Sequence, residues 1–258
     1  MKTYKKINFE ELYNNDLKEY KEIREKDSEY KKRYLQEIDL WKNKYMISLI
    51  SKKPGINKII EIGCATGDLL QRFPINVKPE NRFGIDISKK NILFAKKNYP
   101  KINFIHGTID NLDFPKNYFD LLILSDIIEH VEKPLQFLRK TSQISKYIVI
   151  NLPLQKCQYY KNRKYGPDDE DGHLRAYNFD EALSLIGRSG LKIIKYKQKY
   201  ICKEDFFQRR LIRDFFPNMN FSQSIRSLPK FFKLLILNVI FYKVYFASNL
   251  FAFLKKEE

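Results

Sequence analysis

From residue 10 to 53 a highly charged sequence, nearly free of Gly and Pro, is interrupted by Tyr30, Tyr34, Ile38, Trp41, Tyr45 and Leu49. Their spacings of four and three predict an amphipathic helix. Pro54-Gly55 ends it, and the period changes to short apolar runs. Ile59-Ile60-Glu61-Ile62 reads as a strand that stops at Gly63, and Leu69-Leu70 begins a helix. The rhythm repeats with a strand at Phe83-Gly84-Ile85-Asp86-Ile87, a helix over 89–98 and a strand at Ile102–His106. Phe119–Leu124 and Tyr147–Leu152 are continuously apolar, as expected of strands covered on both faces.

Strands alternating with helices predict an α/β fold built on a doubly wound, mostly parallel sheet. Five strands are complete by residue 153. A polar stretch, Cys157–Arg175, reads as a loop or lid before a helix over 178–189, an alternating strand over 191–201 and a closing strand over 249–254, which makes seven strands. Residues 203–246 interrupt this plan with many Phe and basic residues and predict a helical insertion. The expected organisation is an N-terminal helical segment (1–53), a main domain formed by 54–202 with 247–258, and the inserted segment 203–246.

Composition adds a constraint on partners. The 258 residues carry a net charge of +17, of which residues 151–258 hold +9. Such a field favours nucleic acid, an anionic membrane surface or acidic small molecules. Cys64, Cys157 and Cys202 form no CxxC pair, so neither a disulfide framework nor a thiolate zinc site is expected. The early acids and missing apolar run at the N-terminus exclude a secretory signal from the sequence given, and the expected location is cytoplasmic.

The chemistry concentrates in Ile60-Glu61-Ile62-Gly63-Cys64-Ala65-Thr66-Gly67-Asp68. Two glycines at a strand end let backbone approach a ligand where a side chain would clash. Asp86 then closes the second strand, where a carboxylate can accept hydrogen bonds from both hydroxyls of an adenosine ribose. A dinucleotide site needs Gly-x-Gly-x-x-Gly, which the Gly63-x-x-x-Gly67 spacing does not provide.

On these residues, and on Phe83–Ser88, His106–Phe114 and Phe119–Ile123 in the same order, the chain resembles the class I S-adenosylmethionine-dependent methyltransferases. Glu61, Gly63 and Gly67 match the first motif of that family, with Ala65 in place of its middle glycine. The resemblance implies S-adenosyl-L-methionine as cofactor. It places Glu61, Gly63 and Gly67 around the methionyl part, Asp86 on the ribose, and Thr108 with Ile109 around adenine, with Cys64 and Ala65 of the same turn in the cofactor-binding set. Ile87 covers an adenine face, and Ser125 completes the set.

Methyl transfer to a hydroxyl needs a base or a metal. After the fourth strand, Asp126, Glu129 and His130 fall at i, i+3 and i+4, so one helical turn would put them on one face. They resemble the acid-x-x-Glu-His element of some ubiquinone-pathway and RNA 2′-O-methyltransferases, which implies a divalent cation with His173 as a fourth ligand. The preferred expectation is that no metal is bound and that His130 and His173 border the acceptor and act on it. Cys64 reads as loop filler and His106 as structural.

The expected acceptor is a small molecule, a glycan or a lipid-linked compound, with O-methylation as the expected reaction. The inserted segment is too short in its apolar part to span a bilayer, but could pack on the domain or make a peripheral membrane contact. With no recognition module visible, an RNA methyltransferase ranks last. A nucleoside-binding regulatory protein that transfers nothing is the non-catalytic alternative.

Overall fold

The computed structural model describes residues 28–50, 55–166, 169, 171–203, 240 and 242–257. Helix α1 (Ser28–Glu37) runs through a π-type turn (Ile38–Asn43) into α2 (Lys44–Ile50). Then come β1 (Ile59–Ile62), α3 (Asp68–Arg72), β2 (Arg82–Asp86), α4 (Lys89–Asn98), β3 (Asn103–His106) and β4 (Phe119–Ser125). The remainder comprises α5 (Pro134–Thr141), β5 (Ser145–Leu154), α6 (Phe179–Arg188), β6 (Leu191–Tyr200), the short α7 (Tyr242–Tyr245) and β7 (Ser248–Lys256).

The strands form one sheet of order β3-β2-β1-β4-β5-β7-β6. β1 to β5 run parallel, while β7 is inserted antiparallel between β5 and β6. The apolar runs explain the arrangement. β1 is buried along its whole length, and β4 nearly so, because helices cover both faces of a parallel sheet. β7 is equally buried from Leu250 to Leu254.

Two apolar layers sandwich the sheet. On one side Ile38, Trp41, Tyr45 and Leu49 pack with Phe251 and Phe253 of β7, and with Leu70 and Ala95 of α3 and α4. The Trp41 ring meets Tyr45 and Phe251 edge-on at 5.3 and 5.4 Å. On the other side Leu138 of α5 and Ala182, Leu185 and Ile186 of α6 cover Ile60, Leu122, Ile148 and Leu254. The amphipathic period read over residues 38–49 is thus a core stripe, and residues 38–50 share the main domain's core instead of building their own. Residues 10–27 of that predicted helix, and nearly all of the predicted insertion, lie outside the described residues.

The strand order reverses beside β1, between β2 and β4. In an open α/β sheet the crevice beyond the strand ends at such a reversal is where ligands bind. The carboxyl ends of β1, β2 and β4 carry Gly63, Asp86 and Ser125-Asp126, so the topology gathers the sequence candidates at one edge. Among the described residues no helix is long and apolar enough to cross a membrane.

Candidate cofactor and acceptor site

A cavity of about 830 Å³ opens at this edge. Gly63, Ala65, Asp86 and Ile87 line it together with Thr108 and Ile109 and with Asp126, Ile127 and His130. Backbone geometry explains why the turn after β1 needs its residue types. Gly63 stands at φ +77, and a Cβ there would lie 2.8 Å from Ile127 Cδ1. Gly67 stands at φ +80, and its Cβ would fall 2.6 Å from Phe104. Gly63 therefore keeps the cavity wall open, whereas Gly67 permits packing behind it. Ala65 occupies φ +45, a left-handed conformation that costs a Cβ-bearing residue about 1–2 kcal/mol.

Asp86 organises the cradle. Its Oδ2 accepts the Ala65 N–H at 2.8 Å, and Oδ1 accepts Ser88 N–H at 2.8 Å and Asn91 Nδ2 at 3.2 Å. Burial raises its pKa, and these three donors oppose the rise. A carboxylate has about four acceptor sites, so Oδ2 retains capacity for a ligand hydroxyl, and the side chain borders the cavity. The residues present fit a nucleoside cofactor: an acid with an unused acceptor position, two left-handed backbone positions beside it, and Ile87 and Ile109 as apolar walls.

The other predicted cofactor residues are more recessed. Cys64 is buried, with its sulfur against Gly84, and burial pushes the thiol well above its ordinary pKa. A thiol held in that form is a weak nucleophile. Ser125 is buried and donates to Asp126 Oδ2 at 2.8 Å. Glu61 lies beneath the turn, 2% exposed, with Oε2 unpaired. Burial pushes its carboxyl up to about 8, with Lys42 opposing the shift and Asp86 and Asp126 reinforcing it. His106 bonds the Ile87 carbonyl through Nε2 at 3.0 Å, which fits the structural reading.

Lys42 was not among the sequence candidates. The π-type turn directs it under the site, where Nζ meets Asp126 Oδ2 at 3.0 Å and Glu37 Oε1 at 3.7 Å. Burial alone would lower its pKa, but Asp126 and Glu37 outweigh that and raise it. Its one sequence signal is position: it follows Trp41 on the buried side of an otherwise amphipathic helix.

The expected common face of Asp126, Glu129 and His130 is not formed. Asp126 stands at φ +52 ahead of a single 3₁₀ turn, Ile128–His130. Its carboxylate turns to Lys42, Ser125 and Asn151 Nδ2, the last at 3.0 Å. His173 takes its place beside the other two. One ligand atom each from Glu129, His130 and His173 lie within 4.8 Å of one another, and the two imidazoles meet edge-to-face at 4.6 Å.

Hydrogen bonds fix both rings. His130 Nδ1 donates to the Gly172 carbonyl at 3.0 Å, and His173 Nδ1 donates to Gln155 Oε1 at 2.9 Å. Each neutral ring then carries its lone pair on Nε2. Burial lowers both pKa values, that of His173 to about 4 with His130 and Arg163 adding to the effect. Burial and Asp126 hold the Glu129 carboxyl well above its usual range, and neither of its oxygens has a hydrogen-bond partner. The loop carrying His173 is anchored through Asp169, which accepts the His173 N–H at 2.9 Å and pairs with Arg163 at 2.6 Å.

The sheet order, the reversed seventh strand and the Asp86 cradle define a Rossmann-like methyltransferase fold. Residues 60–147 match the methyltransferase domain family model. A ubiquinone biosynthesis O-methyltransferase of Rickettsia conorii is 38% identical over 85 residues, which cover 31% of this chain and 28% of that enzyme. Across six Rickettsia relatives of that name the chain spans 28–35% of their length. Among solved structures, an S-adenosylmethionine-dependent methyltransferase of Thermotoga maritima superposes with a TM-score of 0.56 at 14% identity, covering 95% of this chain and 99% of the other. A Haemonchus contortus phosphoethanolamine N-methyltransferase, in complex with phosphomonomethylethanolamine and S-adenosylhomocysteine, superposes with a TM-score of 0.58 at 11% identity, covering 98% and 61%. Over residues 60–147 the chain is thus similar to methyltransferase domains, and its fold is that of solved S-adenosylmethionine-dependent methyltransferases.

Proposed function

We propose that this protein transfers the methyl group of S-adenosylmethionine to a hydroxyl of a small-molecule acceptor. The observation that carries the reading is one cavity lined by both the Asp86 cradle and His130. When bound, the cofactor supplies an electrophilic methyl carbon on its sulfonium. Asp86 would accept the ribose hydroxyls, the Gly63–Ala65 backbone would hold the methionyl part, and Ile87 and Ile109 would border the base. On the cavity wall His130 presents Nε2 as an acceptor nitrogen, suited to take the proton of an acceptor hydroxyl as the new C–O bond forms and the methyl–sulfur bond breaks to release S-adenosylhomocysteine, while His173, which meets the His130 ring edge-to-face, positions it. In-line displacement otherwise asks of the protein mainly alignment. Lipid-linked and glycan acceptors fall within the same reading.

A second reading is favoured by the Glu129–His130–His173 cluster. Anchoring Nδ1 on a carbonyl is the outer-shell arrangement of metal-ligating histidines, and Glu129 has both oxygens unpaired. A divalent cation held there would lower the acceptor's pKa. The set differs from Asp126, Glu129 and His130, since Asp126 is engaged with Lys42.

Calorimetry with S-adenosylhomocysteine tests the cofactor half: Asp86→Ala should weaken binding about 10–100-fold, the loss of charge-assisted hydrogen bonds. Unchanged affinity would refute the cradle. His130→Ala and His173→Ala should keep that affinity and lower kcat with an acceptor about 100-fold or more. Activity that survives exhaustive chelation excludes the metal reading, and cofactor binding without turnover on any hydroxylated acceptor points to the non-catalytic alternative.

A further inference from the structure

Strand β6 ends the sheet, with β7 on its inner side only. Its sequence, Leu191 to Tyr200, holds Lys192, Lys195, Lys197 and Lys199 and no acid. Lysines on an edge strand are a common guard against edge-to-edge pairing, and a guard needs no particular face. Here the register gives them one. Ile194 is bulged out between Ile193 and Lys195, which restores the alternation after the Lys192–Lys195 interval. Opposite Lys192 stands Lys255; opposite Lys195 and Lys197 stand Phe253 and Phe251, both in the layer beneath α2. Directly paired residues point to the same side of a sheet, so all four lysines, with Lys255, share the α2 face.

Neighbouring contacts agree with that placement. Lys197 Nζ reaches Ser48 Oγ of α2 at 3.0 Å, and Lys199 Nζ stands 5.0 Å from the centre of the Tyr45 ring. Lys44 Nζ lies over the same ring at 5.0 Å. Among the described residues none of the four β6 lysines is within ion-pair distance of a carboxylate. The result is a ridge of cations about 20 Å long along the outer rim of one face.

We propose that this ridge docks the protein on an anionic lipid bilayer. Charge complementarity supplies the first argument: a cluster of four to eight lysines is what a negatively charged leaflet attracts, each adding about fivefold in affinity. The second is sequence that continues from the ridge. Beyond the 3₁₀ turn Ile201–Lys203, residues 204–239 pair Phe206-Phe207 and Phe215-Phe216 with Arg209, Arg210 and Arg213, a composition suited to the headgroup boundary. A single-stranded nucleic acid fits less well, because it also needs aromatic faces for its bases. Tyr45 on this side is buried, and the exposed Tyr196 points to the opposite face beside Phe179.

Co-sedimentation of the full chain with vesicles tests the proposal. Binding is expected to mixed phosphatidylcholine–phosphatidylglycerol vesicles but not to phosphatidylcholine alone, and it should fall at least tenfold between about 0.05 M and about 0.5 M salt. The quadruple variant Lys192→Gln, Lys195→Gln, Lys197→Gln, Lys199→Gln should lose 100-fold or more, about fivefold per lysine. Its affinity for S-adenosylhomocysteine should stay unchanged, which separates this test from that of methyl transfer. If the quadruple variant fails to bind cofactor, Lys192→Gln with Lys195→Gln, which touches neither Ser48 nor Tyr45, should still lose more than tenfold. Equal binding of wild type and variants to the anionic vesicles overturns the proposal. So does selective binding of a polyuridylate chain that is lost in the same variants.

Discussion

Glu61 shows how one buried side chain ties stability to pH. Its folded pKa of about 8 stands above the ordinary 4.5, so folding favours its protonated form. The stability this contributes is complete below about pH 4.5 and is lost as pH rises through 8. Glu129, shifted in the same direction, contributes with the same sign. Glu61→Gln removes one such loss, and the melting-temperature difference between variant and wild type should therefore grow in the variant's favour from pH 5 to pH 8.5, reaching about 3 kcal/mol by chemical denaturation. A difference that does not change with pH would refute this. Ala65 presents the complementary case of strain without charge. Ala65→Gly should relieve the left-handed backbone and stabilise the fold by about 0.5–1 kcal/mol, the strain removed less the added chain entropy, as read from the urea midpoint.

Among the elements, the turn after α3 depends on Arg82, the first residue of β2. Its Nη1 donates to the carbonyls of Leu70, Gln71 and Phe73, its Nη2 to Ile75 and its Nε to Val77. Arg82→Met would leave several of these buried acceptors unmatched and should cost about 3 kcal/mol in denaturant unfolding. Nothing in the sequence marks that arginine, because its partners are backbone carbonyls of a loop and any residue types would supply them. The strands and the glycine turn were legible for the opposite reason: apolar runs and left-handed positions restrict residue identity locally. The Asp126–Glu129–His130 spacing misled on geometry. A 3₁₀ turn replaces the α-helical one, and the carboxylate follows a tertiary partner 84 positions away in the chain.

At the scale of the whole molecule, Lys42 joins the N-terminal helices to the floor of the site. Replacing it by Met strands Asp126 beside the buried Glu61 and Glu129, and a loss of about 3–5 kcal/mol is expected. Asp126→Asn in the same chain should recover part of it, with a coupling energy of about 2 kcal/mol in a double-mutant cycle. Strict additivity would show that the pair is incidental. The alternation of strands and helices that builds the parallel part of the sheet could be read from residues 59–154, whereas the strand order, the lysine beneath the site and the shared face of the β6 lysines depend on long-range packing and strand register.

The position of β7 bears on how the chain acquires this form. β5 is finished at Leu154 and β6 at Tyr200, yet the strand that lies between them begins only at Ser248. At about 5–20 residues per second of synthesis, β5 waits roughly 5–20 s with one edge unpaired, and β6 has no place in the sheet until the strand that separates it from β5 emerges. During that interval β5 lacks the partner that pairs Ile148, Ile150 and Leu152 with Leu254, Ala252 and Leu250, so a nascent chain arrested before Ser248 should be a strong client for chaperones.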